Sequence, residues 1–281
     1  MKMSKLKNKI DFAVLVAVNM ANPNGDPLNG NRPRIGPKGL GEITDVCIKR
    51  KIRNRMQDLG HSIFVQSEDR TDDGCTSLSE RAGKGIVDAK TKEEYEARAC
   101  DQWMDARAFG QVFAFKSAGS VSAGVRGPVS IHQAVSISPV DVQSYQITKS
   151  VNSEPKDKKG SDTMGMKHMV RFGLYLVKGS INVQLAEKTG FTEADAEVFK
   201  ECLRTLFVND ASSARPEGSM EVVKVYWWKH NCKTGQYSAA KVHRQLEVTL
   251  KEGIVAPTSV DDYTIKVNAL PDLEVEEIDG I

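Results

Sequence analysis

The residues best placed to do chemistry lie between Asn19 and Ile43. Asn22, Asn24, Arg32 and Arg34 stand in the turn-forming runs Asn22-Pro23-Asn24-Gly25-Asp26-Pro27 and Asn29-Gly30-Asn31-Arg32-Pro33-Arg34. Amide, guanidinium and backbone N–H groups of this kind donate to phosphate oxygens without reading a base. Pro33 restrains the arginines on either side and lowers the conformational freedom a binding loop must lose. Gly39-Leu40-Gly41 precedes a predicted helix, whose N-terminal amides and dipole favour an anion. The chemistry indicated is a sequence-tolerant grip on a sugar–phosphate chain.

Enzymatic patterns are missing. There is no G-x-x-x-x-G-K-[ST], G-x-S-x-G or H-E-x-x-H, and the five histidines are dispersed. Asp26 is the one conspicuous carboxylate of the early loop. It could hold a metal, but without a second carboxylate at useful spacing a turn-forming role is expected. Cys47, Cys75, Cys100, Cys202 and Cys232 are scattered, with no Cys-x-x-Cys pair. Neither a disulfide framework nor a zinc site follows, since a closed zinc site needs four converging ligands. No metal and no cofactor is expected.

The elements that must position these residues follow from periodicity. Ile10 to Val18 reads as a buried strand, and Asn19 to Ile43 as an irregular loop. Thr44 or Asp45 caps a helix that runs to about Leu59 and stops at Gly60. Its stripe Ile48, Ile52, Met56 and Leu59 turns inward, leaving Lys49, Arg50, Arg53 and Arg55 on the flanks and outer side. Ser62 to Gln66 reads as a short strand. Residues 67–90 are polar and lack periodicity, as an insertion would, and Thr91 to Ala108 reads as one helix. Gly127 to Ile137 is a strand. Val140 to Ile147 and Met169 to Val177 are strand-like and flank a charged stretch holding Lys149, Lys156, Lys158, Lys159 and Lys167, which predicts a projecting β-hairpin or, alternatively, a surface loop. Val170 to Val183 reads as a strand pair or one long bent strand, broken by Gly173 and Gly179. Thr192 caps a helix through Leu206, and Glu221 to Trp228 is a further strand. The order is β–α–β … β–β–α–β, so the fold class is α+β, similar to a ferredoxin-like sheet with insertions.

Charge is unevenly spread. Net charge is +2, yet Arg32 to Met56 carries eight bases against two acids, a net of +6. Asp261 to Ile281 carries seven acids against one lysine, a net of −6. A basic face and an acidic tail suit a subunit that meets a polyanion on one side. Phe109-Gly110-Gln111-Val112-Phe113-Ala114-Phe115 lacks the basic-glycine pair of an RNP1 motif, so base stacking on the sheet is not indicated. Lysines precede the apolar run Phe12 to Val18, but Asp11 interrupts it and no cleavage site follows, so a first strand and a cytoplasmic protein are expected, with no membrane partner.

Taken together, the Asn22 to Arg34 loop, the helix start Thr44 to Arg53, Asp105-Ala106-Arg107-Ala108-Phe109-Gly110, Gly127-Pro128-Val129, Thr163-Met164-Gly165 and Ser212-Ser213-Ala214-Arg215-Pro216 resemble one family. It is the repeated guide-RNA-binding subunit of type I CRISPR Cascade, in its Csd/Csh branch, subtype I-C. The likeness spans nearly the whole chain, and its first signature is the specific one. The resemblance implies a modified RRM palm, a finger-like insertion at 67–126, a β-hairpin thumb at 138–170 and an acidic C-terminal tail at 261–281. It further implies a non-catalytic antiviral subunit that polymerises head-to-tail along CRISPR guide RNA. Its partners would be further copies of itself, the large, small and guide-processing Cascade subunits, and target DNA through the guide. RNA-binding residues carried over are Asn22, Asn24, Arg32, Arg34, Lys49, Arg50, Arg53, His132, Gln133, Met164, Met166, Lys167, His168, Ser212, Ser213 and Arg215. Two plainer readings stay open: the methionines as packing residues, and His132 as a core residue. The alternative activity is a metal-dependent endoribonuclease acting on single-stranded RNA through Asp26.

Overall fold

The computed structural model describes residues 4–115, 122–151, 155 and 164–281. Along the chain, β1 (Ile10–Ala21) leads to a small hairpin, β2 (Gly25–Asp26) and β3 (Arg32–Pro33), then to β4 (Leu40–Ile43) and α1 (Asp45–Asp58). Next come α2 (Leu78–Gly85), α3 (Lys92–Gln102), α4 (Met104–Phe109), β5 (Gly110–Phe113) and β6 (Ala123–Arg126). Strands β7 (Val129–Ile131), β8 (Ala134–Pro139) and β9 (Val142–Thr148) precede the long β10 (Met164–Ile181). The chain ends with α5 (Val183–Thr189), α6 (Glu193–Arg204), β11 (Met220–Lys229), α7 (Ala239–His243), β12 (Leu246–Leu250), β13 (Tyr263–Val267) and β14 (Glu276–Asp279).

The fold is mixed α/β around a large antiparallel sheet ordered β14-β11-β1-β10-β8-β4, with β7 and β9 also paired to β10. Every residue of β1 from Ile10 to Val18 is buried. A strand apolar on both faces must be covered on both faces, and two layers do this. Phe12, Val14, Val16 and Val18 pack under Ile48, Ile52 and Met56 of α1 and Phe199 and Leu203 of α6. Ala13, Leu15 and Ala17 pack with Tyr226 and Trp228 beneath Val242, Leu246, Tyr263 and Leu273. The C-terminal layer therefore seals the sheet face opposite α1 and α6.

Helix α1 forms as expected. The Thr44 hydroxyl accepts the Cys47 amide at 3.2 Å, and the chain turns away at Gly60 with φ +83°. Helix α6 starts on a capping box in which Thr192 and Asp195 satisfy each other's amides.

Several expectations change. Residues 62–66 are not a strand; instead the Asp105 carboxylate accepts the Phe64 and Val65 amides at 2.6 and 3.1 Å, taking the place of a ladder partner. The predicted helix over 91–108 breaks at Trp103, which is extended (φ −123°, ψ 121°). Its indole enters a third core with Phe64, Ala82, Ala99 and Phe113. The strand over 127–137 is two strands, β7 and β8, separated at His132 and Gln133. The 19–43 stretch is not wholly irregular, because β1 runs to Ala21 and β4 pairs with β8. Strand β10 passes unbroken through Gly179, where a Cβ would stand 2.2 Å from the Phe12 ring, so this glycine makes room rather than a break. Leu59, expected inward, is 39% exposed, whereas Arg55, expected on the outer side, is buried.

Candidate nucleic-acid interface

The early loop is tied down from within. The Asn22 amide N–H donates to the Ala214 carbonyl at 2.9 Å, and Asn22 Nδ2 donates to the Asn31 carbonyl at 2.7 Å. Asn24 Oδ1 accepts both the Thr44 amide and the Thr44 hydroxyl at 3.0 Å, which fixes the loop to the start of α1. Asp26 Oδ1 accepts the Leu28 amide at 3.2 Å and faces Arg34 at 3.5 Å. Asp26 thus makes the turn expected of it. The buried Asn22 Oδ1 has no hydrogen-bond partner among the described residues.

Beside this loop lies an open groove of about 440 Å³ lined by Asn24, Thr44, Arg50, Lys51, Asp210 and Arg215, among others. The cations that line it, Arg50, Lys51 and Arg215, and their neighbours on α1 outside the lining, Arg53 and Lys49, are committed to different partners. Arg50 Nη1 donates to the Val65 carbonyl at 2.6 Å, and burial followed by Arg53 pulls its pKa down. Lys51 is almost fully buried against Asp210; burial lowers its pKa and Asp210 opposes that shift. Arg215 Nε reaches the same Asp210 at 3.1 Å. Arg53 is bonded to the buried Asp105 at 2.8 Å, with its guanidinium 5.1 Å from the Phe109 ring centre. Lys49 pairs with Asp45 at 2.9 Å. Ser212 and Arg215 close a turn through reciprocal backbone bonds of 2.8 and 3.0 Å, leaving Ser212 and Ser213 exposed.

The predicted hairpin is present. Strands β9 and β10 pair from Met164↔Thr148 to Val170↔Val142. Side chains alternate across a strand, so Met164, Met166 and His168 share one face with Thr148, Gln146 and Ser144, while Lys167 lies on the other with Tyr145. Met164 and Met166 are 62% and 57% exposed, which removes the packing reading. The arm is joined to the loop on the methionine face. Arg32 Nη1 donates to Ser144 Oγ at 3.1 Å, and His168 Nδ1 lies 2.8 Å from the same oxygen. Lys156, Lys158, Lys159 and Thr163 fall outside the described residues.

His132 and Gln133 do not join this constellation. The His132 amide donates to the Lys178 carbonyl at 2.8 Å. Its ring stands edge-on, 6.0 Å from that of His243 on α7, and it is not among the residues lining the groove beside α1. His132 is exposed, so it is not a core residue either. Sequence reasoning missed Lys51, Asp210 and Ser144 in the site. Lys51 and Arg55 follow Ile48 and Ile52 by three positions, the same helical face, and that spacing was the available signal.

The family model described as CRISPR-associated protein Cas7 matches residues 8–268. A Haloferax volcanii protein named CRISPR-associated protein Cas7 is 27% identical over 209 residues, 68% of this chain and 61% of the relative. The match therefore spans less than two-thirds of that relative. Among solved structures, a chain of a "CRISPR RNA-guided surveillance complex, pre-nicking" has a TM-score of 0.51 at 15% identity, covering 82% of this chain and 83% of that one. A chain of a "CRISPR RNA-guided surveillance complex" reaches 0.47 at 15% identity, over 78% of this chain and 68% of the other. The first of these likenesses supports the fold.

Proposed function

Because the chain belongs to the CRISPR-associated Cas7 family, we propose that it is a non-catalytic subunit that holds CRISPR guide RNA and lines up head-to-tail with further copies of itself. The observation carrying this reading is convergence. The Asn22 to Arg34 loop, the first turns of α1 and the Ser212 to Arg215 turn meet at one cationic groove, and the arm is tethered to the same loop through Arg32. With both faces of β1 covered, RNA is gripped along its sugar–phosphate chain and its bases are left free to pair. The order β11-β1-β10-β8, with α1 reached from β1 through β2, β3 and β4, and α5 and α6 following β10, supports an RRM-like palm. On this reading residues 67–126 are the fingers and 138–170 the thumb, whose exposed Met164 and Met166 wedge at a displaced nucleotide. The subunit works in the cytoplasm, in a subtype I-C (Csd/Csh) Cascade with large, small and guide-processing partners, and meets target DNA through the guide. Asp26 is assigned to loop structure rather than to RNA cleavage, since its carboxylate is engaged by the Leu28 amide and Arg34.

The test is assembly of purified full-length protein on single-stranded RNAs of graded length, read by native mass measurement. Stepwise addition of copies with RNA length is expected. A strictly monomeric protein without RNA affinity at low salt would overturn the proposal. Regularly spaced cleavage in magnesium, abolished by Asp26→Ala, would replace it with the nuclease reading.

A further inference from the structure

Six described non-glycine residues have positive φ, and Met20 (φ +50°) is the one inside a long strand. Four of the others are Asn or Asp, whose short side chains make the left-handed region tolerable. Met20 has no such excuse, and a residue of this size at positive φ is strained. The strain has a visible effect. Val18 and Ala21, three positions apart, both enter the helix-side core, so Asn19 and Met20 are exposed in succession. The pairing Asn19↔Phe172 and Ala21↔Val170 keeps its register and sets Met20 opposite Arg171. On the other side of β1, the backbone partner changes from the Ser219 carbonyl, bonded by Asn19, to the Ala214 carbonyl, bonded by Asn22.

A glycine would make this bend without strain. Burial does not account for the methionine, because it is 38% exposed. Opposite it, Arg171 is exposed and its guanidinium has no hydrogen bond or ion pair among the described residues. The pair sits where the arm leaves the sheet, next to Val170↔Val142, and two residues before Asn22 of the loop. An exposed strained apolar side chain and a free cation at matching positions of adjacent strands, between two candidate RNA surfaces, are chemistry held ready for a ligand.

We propose that Met20 and Arg171 form a nucleotide-holding step at the root of the arm, with the Met20 thioether against a base or ribose of single-stranded RNA and Arg171 on the adjoining phosphate. This rests on the guide-RNA reading above. The experiment measures RNA affinity across salt concentrations, and melting temperature, for the full-length wild type and Met20→Gly, Met20→Leu and Arg171→Gln. Met20→Gly should melt at or above the wild type, since strain is relieved, yet bind RNA about tenfold more weakly because an apolar contact is lost. Met20→Leu, which keeps apolar volume, should bind within about twofold of wild type. Arg171→Gln should lower the slope of log affinity against log salt by about 0.7, the loss of one single-strand phosphate contact. A Met20→Gly protein that binds as tightly as wild type, or that melts below it, overturns the inference while leaving the guide reading in place. A wild type that binds no RNA overturns both.

Discussion

The flank of α1 and the projecting arm were both basic or polar stretches in the sequence, and the structure treats them in opposite ways. On α1 the charges are gathered in: Lys51 and Arg55 are buried, and Arg53 is bonded to Asp105, which is 1% exposed. On the arm, Met164 and Met166 stand out in solvent, while Ser144 and His168 are tied to the loop through Arg32. Cations near a groove can therefore belong to the frame that shapes it, while apolar residues on an arm can belong to the working surface. Counting bases along the chain does not separate the two; burial and partners do.

Asp105 gives the sharpest way to break that contrast. It accepts two amides and pairs with Arg53, so Asp105→Ala should leave Arg53 uncompensated and lose about 3–5 kcal/mol of stability by denaturant unfolding. A variant as stable as wild type would show that the α1 cations are not structural.

Next in size is an alkaline loss from the core that α1 and α6 share. Burial pushes the Cys202 thiol up to about 12 and, on α3, the Cys100 thiol up to about 11. Once unfolded, both ionise from about pH 9, so above that pH the unfolded state binds fewer protons and stability falls. Each thiol should contribute about 1.4 kcal/mol per pH unit until its folded value is reached. Cys202→Ala should flatten the profile between pH 9 and about 12; an unchanged slope would mean that the site is wetter than its full burial implies.

The arm should behave in the reverse sense. Met164→Ala with Met166→Ala removes exposed side chains, so stability should stay within about 0.5 kcal/mol of wild type. RNA affinity should nevertheless fall about tenfold, as an apolar contact made only with the ligand is lost. Loss of stability without loss of affinity would place these methionines in the frame instead.

What could be read from the sequence was whatever is local. Thr44 as cap, Ile48, Ile52 and Met56 as stripe and Gly60 as stop lie within one helix, and α1 and α6 followed directly. The hairpin was legible because its two strands flank one charged stretch. Strand β4 was not, because its partner β8 lies about ninety residues away and its four residues directly follow a run of turn formers. The buried pairing of Lys51 was not legible either, because Asp210, its partner, comes 159 positions later. Residues 230–281 carry short strands whose apolar sides are specified by β1, so nothing within them announces the layer that closes the sheet.

The smallest effect concerns the acidic C-terminal stretch, which is built into the fold as β13 along β12 and as β14 along β11. There Lys224 meets Glu277 at 3.4 Å and Asp279 at 3.3 Å, all three being partly or largely exposed. These partners raise the Lys224 pKa against the opposing pull of desolvation, which is the first influence on it. Solvent screens such pairs, so Lys224→Ala should change stability by less than about 1 kcal/mol, and less still in high salt. Set beside Asp105→Ala, this isolates the variable that matters. Both substitutions remove one member of an ion pair, but only Asp105→Ala removes a buried member that also satisfies the Phe64 and Val65 amides. If Lys224→Ala proved as damaging as Asp105→Ala, pairing itself would be the source of stability, and the distinction between frame and working surface would have to be redrawn without burial.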